Sequence, residues 1–126
     1  MDDKSPVRIA TPDDVQALAR LNRAFNGVDE PPERLAQRLS NPGCVEQVLI
    51  AEREARAVGF AALRIVPCVF YDHPYGELTE LFVEEEYRRH GLGRKLLCLA
   101  ETLAAQRGVT GLFVQTGLAN GPARAF

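Results

Sequence analysis

The sequence predicts one α/β (α+β) domain, a mixed sheet with helices on its faces, in the order β-α-α-β-β-β-α-β-α. Three observations carry that expectation. Apolar residues recur every three or four positions in two long segments, Val15 to Phe25 and Gly91 to Gln106, as they do on the buried face of a helix. Between those segments lie runs rich in β-branched and apolar residues, from Val45 to Glu52, from Ala57 to Val69 and from Glu77 to Val83. The stretch from Glu77 to Gln115 then reads strand, helix, strand, and a helical crossover of that length permits parallel neighbours in one sheet. With 126 residues, 46% of them apolar and 25% charged, the chain can bury one core and not two, so residues 1–126 are expected to form a single domain.

Taken in order, Val7-Arg8-Ile9 is a short alternating strand that stops at Thr11-Pro12-Asp13-Asp14. Thr11 can cap a helix there, and Pro12 suits its first position. The helix that follows carries Val15, Leu18, Ala19, Leu21, Ala24 and Phe25 on one face and ends at Asn26-Gly27. Pro31-Pro32-Glu33 opens a shorter helix bearing Leu35 and Leu39, which Asn41-Pro42-Gly43 closes. The next two strands flank Arg53-Glu54-Ala55-Arg56 and resemble an antiparallel hairpin, with Gly59 marking a bend or bulge. The helix from Gly91 is lined by Leu92, Leu96, Leu97, Ala100, Leu103 and Ala104, with Gly108 at its C-terminal end. Gly111 to Gln115 supplies a fifth strand, and Asn120 to Phe126 begins another helix.

Charge and cysteine content narrow the function classes. Fifteen basic against 17 acidic residues give a net charge of −2, which offers no track for a polyanion, so nucleic acid is not an expected partner. Cys44, Cys68 and Cys98 are odd in number, lack metal spacing and stand in apolar stretches, and so read as reduced core residues. His73 and His90 have no second ligand at metal spacing and read as surface residues, so no metal is expected. No apolar run approaches the ~18 residues that cross a bilayer, and no membrane association is expected. The expected location is cytoplasmic.

The chemistry concentrates in Arg88-Arg89-His90-Gly91-Leu92-Gly93, between a strand and the first turn of a long helix. Backbone N–H groups at a helix start lack helical partners and point outward together. Gly91 and Gly93 let the backbone approach a ligand, while the helix dipole and Arg88, Arg89 and Arg94 favour a pyrophosphate. A Walker A loop would need Gly-Lys-Ser/Thr, yet Gly93 leads into Arg94-Lys95-Leu96; a dinucleotide fingerprint would need a third glycine where Leu96 stands.

Leu81-Phe82-Val83 followed by Arg88-x-x-Gly91-x-Gly93 resembles the acetyl-CoA signature of the GNAT superfamily of N-acetyltransferases. The resemblance covers the whole chain by element order and Glu77 to Phe126 by motif. It implies acetyl-CoA as co-substrate, with the pantetheine arm pairing to the backbone of Leu81, Phe82 and Val83 beside a β-bulge. The pyrophosphate would lie on Arg89, His90, Gly91, Leu92, Gly93 and Arg94, and Asn120 would contact the arm. It further implies direct attack by an amine on the thioester, with Glu77 or Glu80 removing the amine proton. The same family pattern places a tyrosine after Phe126 and two further strands beyond it, so the resemblance implies a domain incomplete at its C-terminus. The acidic groups near the site imply a cationic amine acceptor on a small molecule or peptide. A CoA-binding module without turnover, or a truncated product, is the alternative. The apolar strand Leu112 to Gln115, left as an edge, implies a homodimer or larger self-association. Glu84-Glu85-Glu86 reads as a solvated turn, and Asp29 and Glu30 as a polar loop.

Overall fold

A computed structural model describes residues 5–114. The elements are β1 (Val7–Ile9), α1 (Val15–Asn26), α2 (Pro32–Leu39), β2 (Glu46–Arg53), β3 (Arg56–Val66), β4 (Tyr75–Val83), α3 (Leu92–Gln106) and β5 (Leu112–Val114). The strands form one sheet in the order β1-β2-β3-β4-β5. All neighbours are antiparallel except β4 and β5, which run parallel on either side of the α3 crossover, as the strand–helix–strand reading requires. Asn120 and the helix expected from it lie outside the described residues.

Local chemistry accounts for the helix ends. Thr11 and Asp14 form a reciprocal capping box around a 3₁₀ turn, Pro12–Asp14, that feeds directly into α1. Gly27, at φ 70°, ends α1, and Gly108, at φ 88°, follows the end of α3.

Pleat alternation sends side chains to two cores. On one face α3 covers Leu49, Ala61, Leu63, Leu78, Leu81 and Val83 with its own Leu92, Leu96, Ala100 and Ala104. On the other, α1 and α2 cover Ile50, Phe60 and Phe82 with Leu18 and Leu21. There Phe25 stacks on Phe82, ring centroids 4.9 Å apart.

Two expectations are corrected. Cys44 and Cys98 are exposed: Cys44 stands in the loop before β2, and Cys98 lies on the outer face of α3, between the buried Leu96 and Ala100. Their apolar sequence neighbours bury themselves by pointing the other way. Glu84 is no solvated turn residue. Its carboxylate meets Arg20 at 2.9 Å and Arg56 at 3.3 Å, which joins α1, the start of β3 and the end of β4.

Candidate functional site

Strand β4 organises the site. Along β3 and β4, Ala62 pairs with Glu80 but Leu63 pairs with Leu78, so Thr79 is an extra residue, a β-bulge. The bulge sets the pleat. Leu78 and Leu81 both enter the core under α3, so their neighbours Glu77 and Glu80 both turn to the face of α1 and α2. Without the extra residue, positions three apart would have opposed each other. Strand β5 pairs only with Gly76, Glu77 and Leu78, and among the described residues β4 has no β5 partner from Thr79 onward.

Glu80 lines a cavity of about 230 Å³ between the sheet and the two helices. Leu18, Leu35, Leu39, Val48, Phe60 and Ala62 form its apolar wall, and its polar groups come from Asn22, Asn26, Arg38, Cys44, Glu46 and Glu80. Asn26 donates from Nδ2 to Glu80 Oε1 at 3.0 Å and to Asn22 Oδ1 at 2.8 Å. Glu46 Oε2 accepts from the hydroxyl of the bulge residue Thr79 at 3.1 Å. Arg38 is paired to Glu30 at 3.2 Å, whereas neither Glu46 nor Glu80 forms an ion pair among the described residues. The cavity is therefore mainly apolar, with two carboxylates, Glu46 and Glu80, in its lining. Glu77 stands opposite Arg64 on β3 and beside Phe113 on β5, outside this cavity.

Beyond β4 the chain turns through Glu84 to Gly91 into α3. Arg89 has φ 67° and Gly91 φ 82°, two left-handed residues flanking His90, the alternation that turns successive N–H groups toward one side. The N–H groups of Leu92, Gly93 and Arg94 open a helix of 15 residues, and among the described residues no side chain caps them. Among the described residues a Cβ at Gly91 would meet nothing within 4 Å, and the backbone chemistry there suits an anion. Arg89, His90 and Arg94 are exposed around it, while Leu92 and Gly93 are buried and can offer only backbone. Arg88 is folded back: its Nε donates to Val83 O at 2.7 Å and its guanidinium carbon lies 5.8 Å from the Phe82 ring centre. Phe82 and Val83 bury their side chains on opposite faces, which leaves backbone for a ligand.

Glu80 and the loop before α3 lie at the two ends of the last stretch of β4, and the sequence alone does not single out Asn22, Asn26, Arg38 or Glu46. A signal existed for two of them. Leu18, Asn22 and Asn26 are spaced four apart on α1, so the buried stripe continues in polar residues, as expected where a helix face meets a cavity instead of a core.

Comparison with known proteins converges on one family. The profile of the acetyltransferase (GNAT) family matches residues 14–126. An uncharacterized N-acetyltransferase of Chlorobaculum tepidum is 28% identical over 113 residues, 87% of this chain and 66% of that protein. An amino-acid acetyltransferase of Pseudomonas putida is 36% identical over 110 residues, 87% of this chain and 24% of that protein. The chain thus spans under two thirds of one relative's length and about a quarter of the other's. Among solved structures, a ribosomal-protein-alanine N-acetyltransferase from Brucella melitensis biovar Abortus superposes with a TM-score of 0.81 at 18% identity, over 95% of this chain and 86% of that one. An aminoglycoside acetyltransferase from a soil metagenome, in complex with sisomicin, gives 0.77 at 20% identity, over 94% and 81%.

Proposed function

The chain belongs to the GNAT acetyltransferase family, and on that premise we propose that it moves the acetyl group of acetyl-CoA to a primary amine of a small molecule or peptide by direct attack. The observation that carries this reading is the adjacency, on one strand, of an anion-suited loop following β4 and an acidic cavity beside the β4 bulge.

In this reading the pyrophosphate rests on the N–H groups of Arg89 to Arg94, with the side chains of Arg89 and Arg94 facing it. The arm runs along the backbone of Leu81, Phe82 and Val83 in the part of β4 that β5 does not pair. In the reaction the amine nitrogen bonds to the acetyl carbonyl carbon, the carbon–sulfur bond breaks, and the thiolate departs. The chain must therefore remove one proton from the acceptor and steady a transient oxyanion. Glu80, held by Asn26 at the cavity wall, takes the proton directly or through water, and a backbone N–H near Leu81 or Phe82 serves the oxyanion. Glu77, on the same face but outside the cavity, is the less favoured base.

The names of the relatives cover an amino acid, an aminoglycoside and a ribosomal-protein alanine, so the cavity must speak for this chain. Its volume of about 230 Å³ falls below the ~300–1,000 Å³ of drug-sized ligand sites, and its wall is apolar. A short aliphatic amine or a single side chain fits it. Glu46 and Glu80 favour a cationic approach. The test is thiol release from acetyl-CoA in the presence of short aliphatic amines, amino acids and amine-bearing peptides, with mass detection of the acetylated product. Product formation with a cationic short amine supports the reading. CoA binding with no product from any amine would instead favour a binding module without turnover.

A further inference from the structure

We propose that Arg88 is a positioning residue: its Nε–H fastens the end of β4 to the anion loop, and this contact, more than the guanidinium charge, is what it contributes to holding CoA. The inference rests on the CoA reading above and concerns how the two halves of that site are kept in register.

The geometry is specific. Val83 is the last residue of β4, and its carbonyl oxygen accepts from Arg88 Nε at 2.7 Å, five residues on. Among the described residues, this is the one hydrogen bond that joins residues 88–94 to β4. The guanidinium lies over Phe82, which α1 clamps from beyond through Phe25. The strand end is itself held: the Glu84 N–H donates to Val58 O at 2.8 Å, and the Glu84 carboxylate binds Arg20 and Arg56. The strand is therefore the fixed partner and the loop is the part that needs fastening. The loop also carries a non-glycine residue, Arg89, in the left-handed region, a strained conformation that persists only where its surroundings impose it. With Arg88 half-buried and turned back, Arg89, Arg94 and Lys95 are the exposed cations at the helix start.

Side-chain chemistry separates contact from charge. In glutamine the amide nitrogen stands the same number of bonds from Cα as Nε does in arginine, so Arg88→Gln can donate to Val83 O while losing the charge. In lysine that place is a methylene, so Arg88→Lys keeps the charge and loses the donor at that position, its ammonium standing one bond further out. Arg88→Met loses both.

The experiment is calorimetric titration of CoA into the whole chain and the three variants, each well below its melting temperature, at two salt concentrations. The expected order is wild type and Arg88→Gln within about twofold in Kd with the same salt dependence, and Arg88→Lys and Arg88→Met both weaker by about tenfold, the scale of one lost hydrogen bond. Arg88→Lys near wild type with Arg88→Gln as weak as Arg88→Met would overturn the proposal in favour of charge. Four equal affinities with only lowered melting temperatures would overturn it in favour of fold stability alone. Wild-type protein that fails to bind CoA would overturn the parent reading and this inference with it, an outcome distinct from any reordering of the variants.

Discussion

Asn26 Nδ2 lies 3.0 Å from Glu80 Oε1, a hydrogen bond across 54 residues that ties the last turn of α1 to the bulged part of β4. A carboxylate so held has a fixed orientation at the cavity wall while its remaining lone pairs stay free for an acceptor. Glu80→Gln should lower kcat at neutral pH by about a hundredfold or more if the carboxylate is the base, and leave CoA affinity within about twofold. Asn26→Ala, which frees the carboxylate without removing it, should cost about tenfold or less. Steady-state rates beside CoA titrations check both, and a Glu80→Gln enzyme at wild-type rate would move the role to Glu77, whose Gln variant is the companion measurement.

The N-terminal clamp predicts a pH dependence. Arg8 binds both oxygens of Asp14, at 2.8 and 2.9 Å, and the Thr11 N–H adds a third bond at 2.7 Å. The Arg8 guanidinium, helped by Thr11, holds the Asp14 carboxyl below the usual carboxylate range, while Asp14 and Glu52 raise Arg8. A depressed carboxyl stabilises the fold above its unfolded-chain pKa, and the contribution is lost as pH falls through its folded value. Asp14→Asn should cost about 1 kcal/mol at pH 7. The gap from wild type should close as pH drops below about 4. Chemical denaturation across that range reads it directly, and a gap constant with pH would contradict the clamp.

How the sheet approaches itself gives a third prediction. A Cβ at Gly59 would stand 2.7 Å from the carbonyl oxygen of Phe82 and 3.2 Å from Val83 Cα, both backbone atoms of the site strand. Gly59→Ala should therefore destabilise by about 1–3 kcal/mol and also weaken CoA binding, because β4 itself must shift. Gly111→Ala, with nothing within 4 Å, should do neither. Melting curves and CoA titrations of the two variants make the comparison.

What was legible in the sequence follows the range of the forces involved. Thr11, Pro12 and Asp14 announced a helix start because capping acts within three residues, and Gly91 announced the turn into α3 because only its own backbone is at issue. The parallel β4–β5 pair was legible from the length of the crossover. A bulge near Glu80 was expected from resemblance, but only pairing with β3 fixes it at Thr79. The Arg20–Glu84–Arg56 clamp joins residues up to 64 apart in sequence, and no local pattern announces such a contact. Cys44 and Cys98 misled for the same reason: apolar neighbours in sequence do not say which way one side chain points.

If CoA is held at the start of α3 and along the end of β4, amide hydrogen exchange with and without CoA should report it residue by residue. Exchange should slow at Arg89 to Arg94 and at Leu81 and Val83, whose backbone faces away from β3, with little change in the β2–β3 hairpin away from the ligand. Saturating CoA that leaves Arg89 to Arg94 exchanging at the unliganded rate would contradict it.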